Sequence, residues 1–116
     1  MKTIPLIIVT LIATLLGTGV APAQTPAEAS LQHGKALFIQ HGCARCHGTE
    51  GQGGAGARIG SKPPATAALI QYVRNPSGAM PPYRNQVTDA ELTDIRAYLA
   101  SIPPPPPVKD IPLLNQ

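Results

Sequence analysis

The segment HGCARCHG, residues 41–48, contains both cysteines of the 116-residue chain. Cys43 and Cys46 are separated by two residues, which places the two thiols on neighbouring sides of one turn. His47 follows the second cysteine directly. This spacing is that of the C-x-x-C-H motif for covalent haem attachment, in which the thiols add to the two vinyl groups and the histidine becomes the proximal iron ligand.

Two neighbouring cysteines also occur in three other kinds of site: a disulfide, a redox-active pair and a zinc site. A disulfide is the usual form in an oxidising compartment. A thioredoxin-like redox pair needs a βαβ context, and no strand candidates flank this motif. A zinc site needs four protein ligands, whereas Cys43, Cys46 and His47 supply three and no second cluster follows. Haem attachment accounts for every residue of the motif, so we predict a single covalently bound haem c.

The iron of such a haem has a second axial position, and the chain offers one methionine besides the initiator. Met80 lies in the segment NPSGAMPPYRN, where the two prolines that follow it forbid continuation of a helix. A methionine in a rigid loop is well placed to present its thioether, although packing as a gap-filling residue is the alternative. We predict Met80 as the distal iron ligand and expect His33 and His41 to be surface histidines.

The first residues have the features of a secretory signal. Lys2 precedes an uncharged apolar stretch, and Ala21-Pro22-Ala23 fits the small-x-small pattern of a leader-peptidase site. We expect a signal peptide of residues 1–23, cleaved after Ala23, and a periplasmic mature chain. The alternative is an uncleaved membrane anchor, because the apolar stretch lies at the lower limit for spanning a bilayer.

Hydrophobic periodicity predicts an all-α fold in one domain of residues 24–102, because no stretch alternates with a period of two. Three helices are predicted: residues 31–40 capped by Ser30, residues 65–74, and residues 89–101 after a Thr88–Glu91 capping box. The apolar residues expected to face inward are Leu31, Ala36, Leu37, Phe38, Leu69, Ile70, Val73, Leu92, Ile95, Tyr98 and Leu99. A glycine-rich loop at residues 48–60 is expected to approach the haem closely.

Composition is consistent with a core that contains a cofactor. The chain has one phenylalanine, three tyrosines and no tryptophan, which is few for a small domain, and a large apolar cofactor would fill the deficit. The formal net charge of +3 is scattered, which argues against nucleic acid as a partner.

The C-terminal tail, residues 103–116, begins with five consecutive prolines. They predict a polyproline II rod about 15 Å long, at roughly 3.1 Å per residue. Four aliphatic residues follow in VKDIPLLNQ. Two interpretations stay open: the tail folds back on its own domain, or it docks a partner protein.

Together these residues resemble the class I c-type cytochromes, and in particular small bacterial monohaem members similar to the cytochrome subunits of periplasmic dehydrogenases. The segments GKALF, CARCHG, NPSGAMPPY and LTDIRAYL carry the resemblance, which covers about residues 31–102. It implies three to four short helices wrapped around one haem. It also implies that the first helix crosses the last almost at right angles, with Gly34 letting the two backbones approach.

The chain departs from the family in two places. The family often has a proline after the attachment site, where a carbonyl group accepts the ring N–H of the proximal histidine. Here that stretch is GARI, residues 56–59, and the partner of His47 is unassigned. The segment between His47 and Met80 is also shorter than in mitochondrial members, which should leave more of the haem edge uncovered.

The resemblance implies a one-electron carrier rather than an enzyme, because His47 and Met80 would fill both axial positions. We expect the protein to accept electrons from a dehydrogenase and pass them to the respiratory chain. Arg45, beside the exposed haem edge, is either a docking residue or simply a solvated charge. The alternative function is a haem enzyme or gas sensor with a labile sixth ligand. Membrane association is expected only if the signal is an uncleaved anchor.

Overall fold

The computed structural model describes residues 23–115, which contain helices and no strand. The α-helices are α1 (Pro26–Gln40), α2 (Ala44–His47), α3 (Thr66–Arg74) and α4 (Asp89–Ser101), followed by the short 3-10 turns Val108–Asp110 and Pro112–Leu114. The all-α prediction is therefore confirmed. The predicted signal peptide lies outside the described residues except for its last position. Within the described part, no helix combines the length and the apolar character that a membrane crossing requires.

Helix α1 begins earlier than predicted. Thr25 is its N-cap: the Thr25 hydroxyl accepts a hydrogen bond from the Glu28 backbone N–H, and the Glu28 carboxylate accepts one from the Thr25 N–H. Pro26 occupies the first turn, where its missing N–H costs nothing. The prediction that Ser30 caps this helix is wrong, because the segment TPAE supplies a complete capping box upstream of it.

Helices α1 and α4 pack together at a point where their backbones touch. Gly34 is buried, and a Cβ atom built on it would collide with the carbonyl group of Asp94. Ser30 Oγ donates a hydrogen bond to Asp94 Oδ1, and His33 Nδ1 lies 2.8 Å from Asp94 Oδ2. The expected role of Gly34 in letting the two backbones approach is confirmed.

A core of nine side chains lies between α1, α3 and α4. Its members are Leu37, Phe38, Leu69, Val73, Val87, Leu92, Ile95, Tyr98 and Leu99. The predicted stripe of α4 and its Thr88–Glu91 capping box are both confirmed. Ala36 is exposed, so its predicted inward position is wrong, and Leu31 and Ile70 are only partly buried. The aromatic rings of Phe38 and Tyr98 lie with their centroids 6.1 Å apart and join α1 to α4 within this core.

The C-terminal tail is exposed along residues 103–110. Its two 3-10 turns contact each other, and neither contacts one of the described helices. Val108, Leu113 and Leu114 are exposed. The interpretation in which the tail folds back is thus not supported by any packing against α1 to α4.

Gly34→Leu is expected to push α1 away from α4, because the new side chain meets backbone atoms that cannot rotate aside. Overpacking typically costs about 1–3 kcal/mol, and we expect the upper end of that range here. Thermal unfolding measures the loss, with Lys35→Leu on the exposed side of the same helix as the control. Normal haem incorporation and stability in Gly34→Leu would contradict the observed helix pairing.

The contact of Asp94 with α1 is expected to make stability depend on pH. Hydrogen bonds from Ser30 and His33 lower the pKa of the Asp94 carboxyl group. Such a group stabilises the fold above its unfolded pKa of about 3.9, and the contribution is lost as the pH falls through the folded-state pKa. Asp94→Asn should therefore lower the Tm by a few degrees at neutral pH and have progressively less effect below about pH 4. Thermal melts across that range test this, and Asp110→Asn in the exposed tail is the control.

Candidate functional site

A cavity of about 720 Å³ opens beside the core and contains the predicted site residues in its wall. Cys43, Cys46 and His47 line it from α2 and the turn before it, and Met80 lines it from the loop between α3 and α4. The volume is within the range of about 300–1,000 Å³ that is usual for cofactor and ligand sites. The fold thus brings together residues that are far apart in the sequence.

His47 is oriented by a backbone carbonyl group. Its Nδ1 atom lies 2.7 Å from the carbonyl oxygen of Ala57. Because a carbonyl oxygen only accepts hydrogen bonds, Nδ1 has to carry the proton, and the lone pair is then on Nε2. An imidazole held in this tautomer is ready to bind a metal ion through Nε2. The partner of His47 that the sequence left unassigned is therefore Ala57.

The glycine-rich loop packs directly against the haem-attachment motif. The N–H of Gly53 donates to the His47 carbonyl oxygen at 2.8 Å, and the N–H of Gly56 donates to the Cys46 carbonyl oxygen at 2.8 Å. A Cβ atom on Gly56 would lie 2.9 Å from Cε1 of the His47 ring, which is closer than real side chains approach. Glycine at this position thus lets the backbone reach the imidazole and place the Ala57 carbonyl beside it.

The two cysteines do not have the properties of a redox pair. Cys43 is partly buried, and this burial raises the pKa of its thiol. Redox-active C-x-x-C motifs have the opposite property, because the pKa of their attacking thiol is lowered. The thiols of Cys43 and Cys46 are not joined in a disulfide. Among residues 23–115 no three His, Cys, Asp or Glu side chains converge on one point, so the zinc alternative is not supported either.

Met80 lines the same cavity as Cys43, Cys46 and His47. It is partly buried and packs against the core cluster. The chain reaches it through a turn at Gly78, whose φ of 72° is in the left-handed region that favours glycine. Met80 lies between α3 and α4, so the expectation that it lies in a loop is confirmed.

The two remaining histidines differ from each other. His33 points to the surface between α1 and α4, where its ring contacts Asp94, as expected for a surface histidine. His41 lines the cavity, and its Nε2 atom is buried without a hydrogen-bond partner. The expectation that His41 is a surface histidine is therefore wrong.

The cavity fits a haem group. Its walls are built largely from apolar side chains of the core, among them Phe38, Leu69 and Leu99. A nitrogen donor of His47 and a sulfur donor of Met80 lie in the wall, which is the donor set that cytochromes c use for iron. The unsatisfied Nε2 of His41 suits a group that has polar substituents as well as a large apolar surface.

Comparisons with known proteins show the family to which the chain belongs. The family described as cytochrome c oxidase, cbb3-type, subunit III matches residues 29–99, a range that includes both cysteines, His47 and Met80. A cytochrome c6 from Synechocystis sp. (strain ATCC 27184 / PCC 6803 / Kazusa) is 33% identical over 86 residues, which are 65% of this chain and 68% of the relative. No solved structure shows significant similarity to the chain. The chain therefore belongs to the small class I c-type cytochromes, and it is a monohaem electron-transfer protein, not an enzyme, with covalently bound haem c.

Proposed function

We propose that the protein is a periplasmic one-electron carrier whose haem c is attached through Cys43 and Cys46 and ligated by His47 and Met80. The observation that carries this proposal is that all four residues line one cavity. Bound haem supplies the redox chemistry, because its iron is stable in both the ferrous and the ferric state. With two protein ligands in place, the site has no free position for a substrate.

Each side chain of the proposed site has a defined task. The two thiols would form thioether bonds and keep the cofactor from dissociating. His47, fixed by the Ala57 carbonyl, would present Nε2 to the iron in one orientation. The Met80 thioether would favour the ferrous state and so raise the reduction potential relative to a second histidine.

The fixed positions of these residues suit rapid electron transfer. His47 is held by backbone hydrogen bonds of the glycine-rich loop, and the loop of Met80 is stiffened by two prolines. Ligands that do not move between two oxidation states add little reorganisation to the transfer. The apolar wall excludes water and so disfavours the additional charge of the ferric form.

The proposed partners are redox proteins on either side of this carrier. We propose a dehydrogenase as the electron donor and the respiratory chain as the acceptor. The family description names a cytochrome c oxidase subunit, which supports the acceptor side of this proposal. The signal-like N-terminus supports export to the periplasm with cleavage after Ala23.

Met80→Ala is expected to remove the sulfur ligand while leaving the covalent haem in place. The weak far-red absorption band of ferric iron bound to methionine sulfur should be present in the native protein and absent from this variant, and the reduction potential should fall. Ile70→Ala, which truncates a partly buried neighbour of the same core, should keep the band. A native protein without the band, or a Met80→Ala variant that retains it, would disprove the proposed ligation.

Arg45→Glu is expected to slow the reaction with an acidic redox partner. Arg45 is exposed and lies at the mouth of the cavity, between the two cysteines in the sequence. Charges at the rim of an interface act mainly on the association rate, so the second-order rate should fall about threefold to tenfold at low salt and less at high salt. Stopped-flow reduction by the native donor measures it, with Lys35→Glu on the exposed side of α1 as the control. Equal rates for the native protein and Arg45→Glu at low salt would exclude a docking role.

A further inference from the structure

The loop that carries Met80, residues 75–87, is fastened to the last turn of α3 on both sides of the methionine. Before Met80, the Tyr72 hydroxyl lies 3.2 Å from Ser77 Oγ. After Met80, the backbone N–H of Tyr83 donates to the Val73 carbonyl oxygen at 3.0 Å. The position of the methionine is therefore determined by α3 as well as by its own turn.

Arg74 makes the strongest of these attachments. Its Nη1 donates to the carbonyl oxygen of Tyr83 at 2.7 Å, and its Nη2 lies 2.7 Å from Asp89 Oδ1 at the start of α4. The Arg74 side chain is 21% exposed, whereas that of Asp89 is 69% exposed. An ion pair with so exposed a partner contributes little. The sheltered hydrogen bond from a charged donor to the Tyr83 carbonyl contributes more.

This hydrogen bond acts on Met80 through a stiff connection. Pro81 and Pro82 are the only residues between Met80 and Tyr83, and the ring of each proline fixes its φ angle. Because φ is fixed at both intervening residues, this short connection can absorb little of a displacement at Tyr83 before it reaches Met80. A flexible linker of the same length would absorb such a displacement.

We propose that Arg74 is a positioning residue that keeps the Met80 thioether on the iron, an inference that rests on the proposed ligation by Met80. Arg74 itself does not contact the iron. By holding the Tyr83 carbonyl beside α3, it lowers the population of molecules in which the loop has moved and the sixth position is open. Loosening this attachment should leave the fold intact and make Met80 easier to displace.

The open population can be measured by competition with an added ligand. Imidazole can occupy the sixth position only when Met80 has left it, so its apparent affinity is the intrinsic affinity multiplied by the open fraction. In Arg74→Gln the apparent Kd of imidazole for the oxidised holoprotein should fall about tenfold to thirtyfold, the effect expected when a hydrogen bond from a charged donor is lost. Loss of the far-red band during the titration reports the displacement.

Three further variants separate this effect from a general loss of stability. Arg74→Lys keeps a cationic donor, so its apparent Kd should lie between that of Arg74→Gln and that of the native protein. Asp89→Asn removes the exposed ion pair but not the carbonyl contact, so its apparent Kd should stay within about twofold of the native value. Arg96→Gln removes a comparable bond, since Arg96 Nε donates to the Pro64 carbonyl oxygen at 2.7 Å outside the Met80 loop. It should lower the Tm without changing the apparent Kd.

An apparent Kd for Arg74→Gln equal to that of the native protein would overturn the proposal. So would the same apparent Kd in Arg74→Gln and Arg96→Gln, measured after both variants have lost stability. If Arg74→Gln fails to incorporate haem, the same titration of Arg74→Lys decides, because a weaker single donor should still give a lower apparent Kd than arginine. A native protein without the far-red band would disprove the ligation by Met80. A native protein with the band and an unchanged Arg74 variant would disprove only the role of Arg74.

Discussion

The direct contact between α1 and α4 at Gly34 is the constraint on which the rest of the structure depends. Helix α1 leads through a short turn into Cys43, and α4 begins directly after the loop that carries Met80. Holding these helices backbone to backbone therefore fixes the relative position of the two halves of the haem site. Residues of α3 and of the glycine-rich loop complete the wall of the cavity beside α1 and α4.

Much of this arrangement can be predicted from the sequence, because its decisive signals are local. The C-x-x-C-H motif, the methionine before two prolines and the Thr88–Glu91 capping box each lie within a few residues, and the structure confirms the local geometry they predict. The sequence prediction starts α1 too late, although the signal is equally local: Thr25 and Glu28 form the same kind of capping box upstream of Ser30.

Other features could not be predicted, because they depend on contacts between distant segments. The carbonyl group that orients His47 belongs to Ala57, and every residue has a carbonyl group, so no residue type marks it. The burial of His41 Nε2 and the contact of Arg74 with Tyr83 likewise follow from the way the loops pack. A sequence pattern can indicate which residues bind the cofactor, whereas the groups that orient those residues become visible only in the folded chain.

The two proposed axial ligands are supported in physically different ways. His47 is held by backbone hydrogen bonds from a loop that follows it closely in the sequence, so few side-chain substitutions can disturb it except at Gly56, where the ring is approached directly. The Met80 loop is held to α3 by one backbone hydrogen bond, from Tyr83 to Val73, and by side chains of that helix, Arg74 above all. We therefore expect that a single substitution in α3 can loosen the Met80 loop without changing the proposed attachment through Cys43 and Cys46. If Met80 binds the iron as proposed, substitutions in α3 would change the strength of the iron–sulfur bond, and with it the reduction potential, while the hydrogen bonds that hold His47 stay in place.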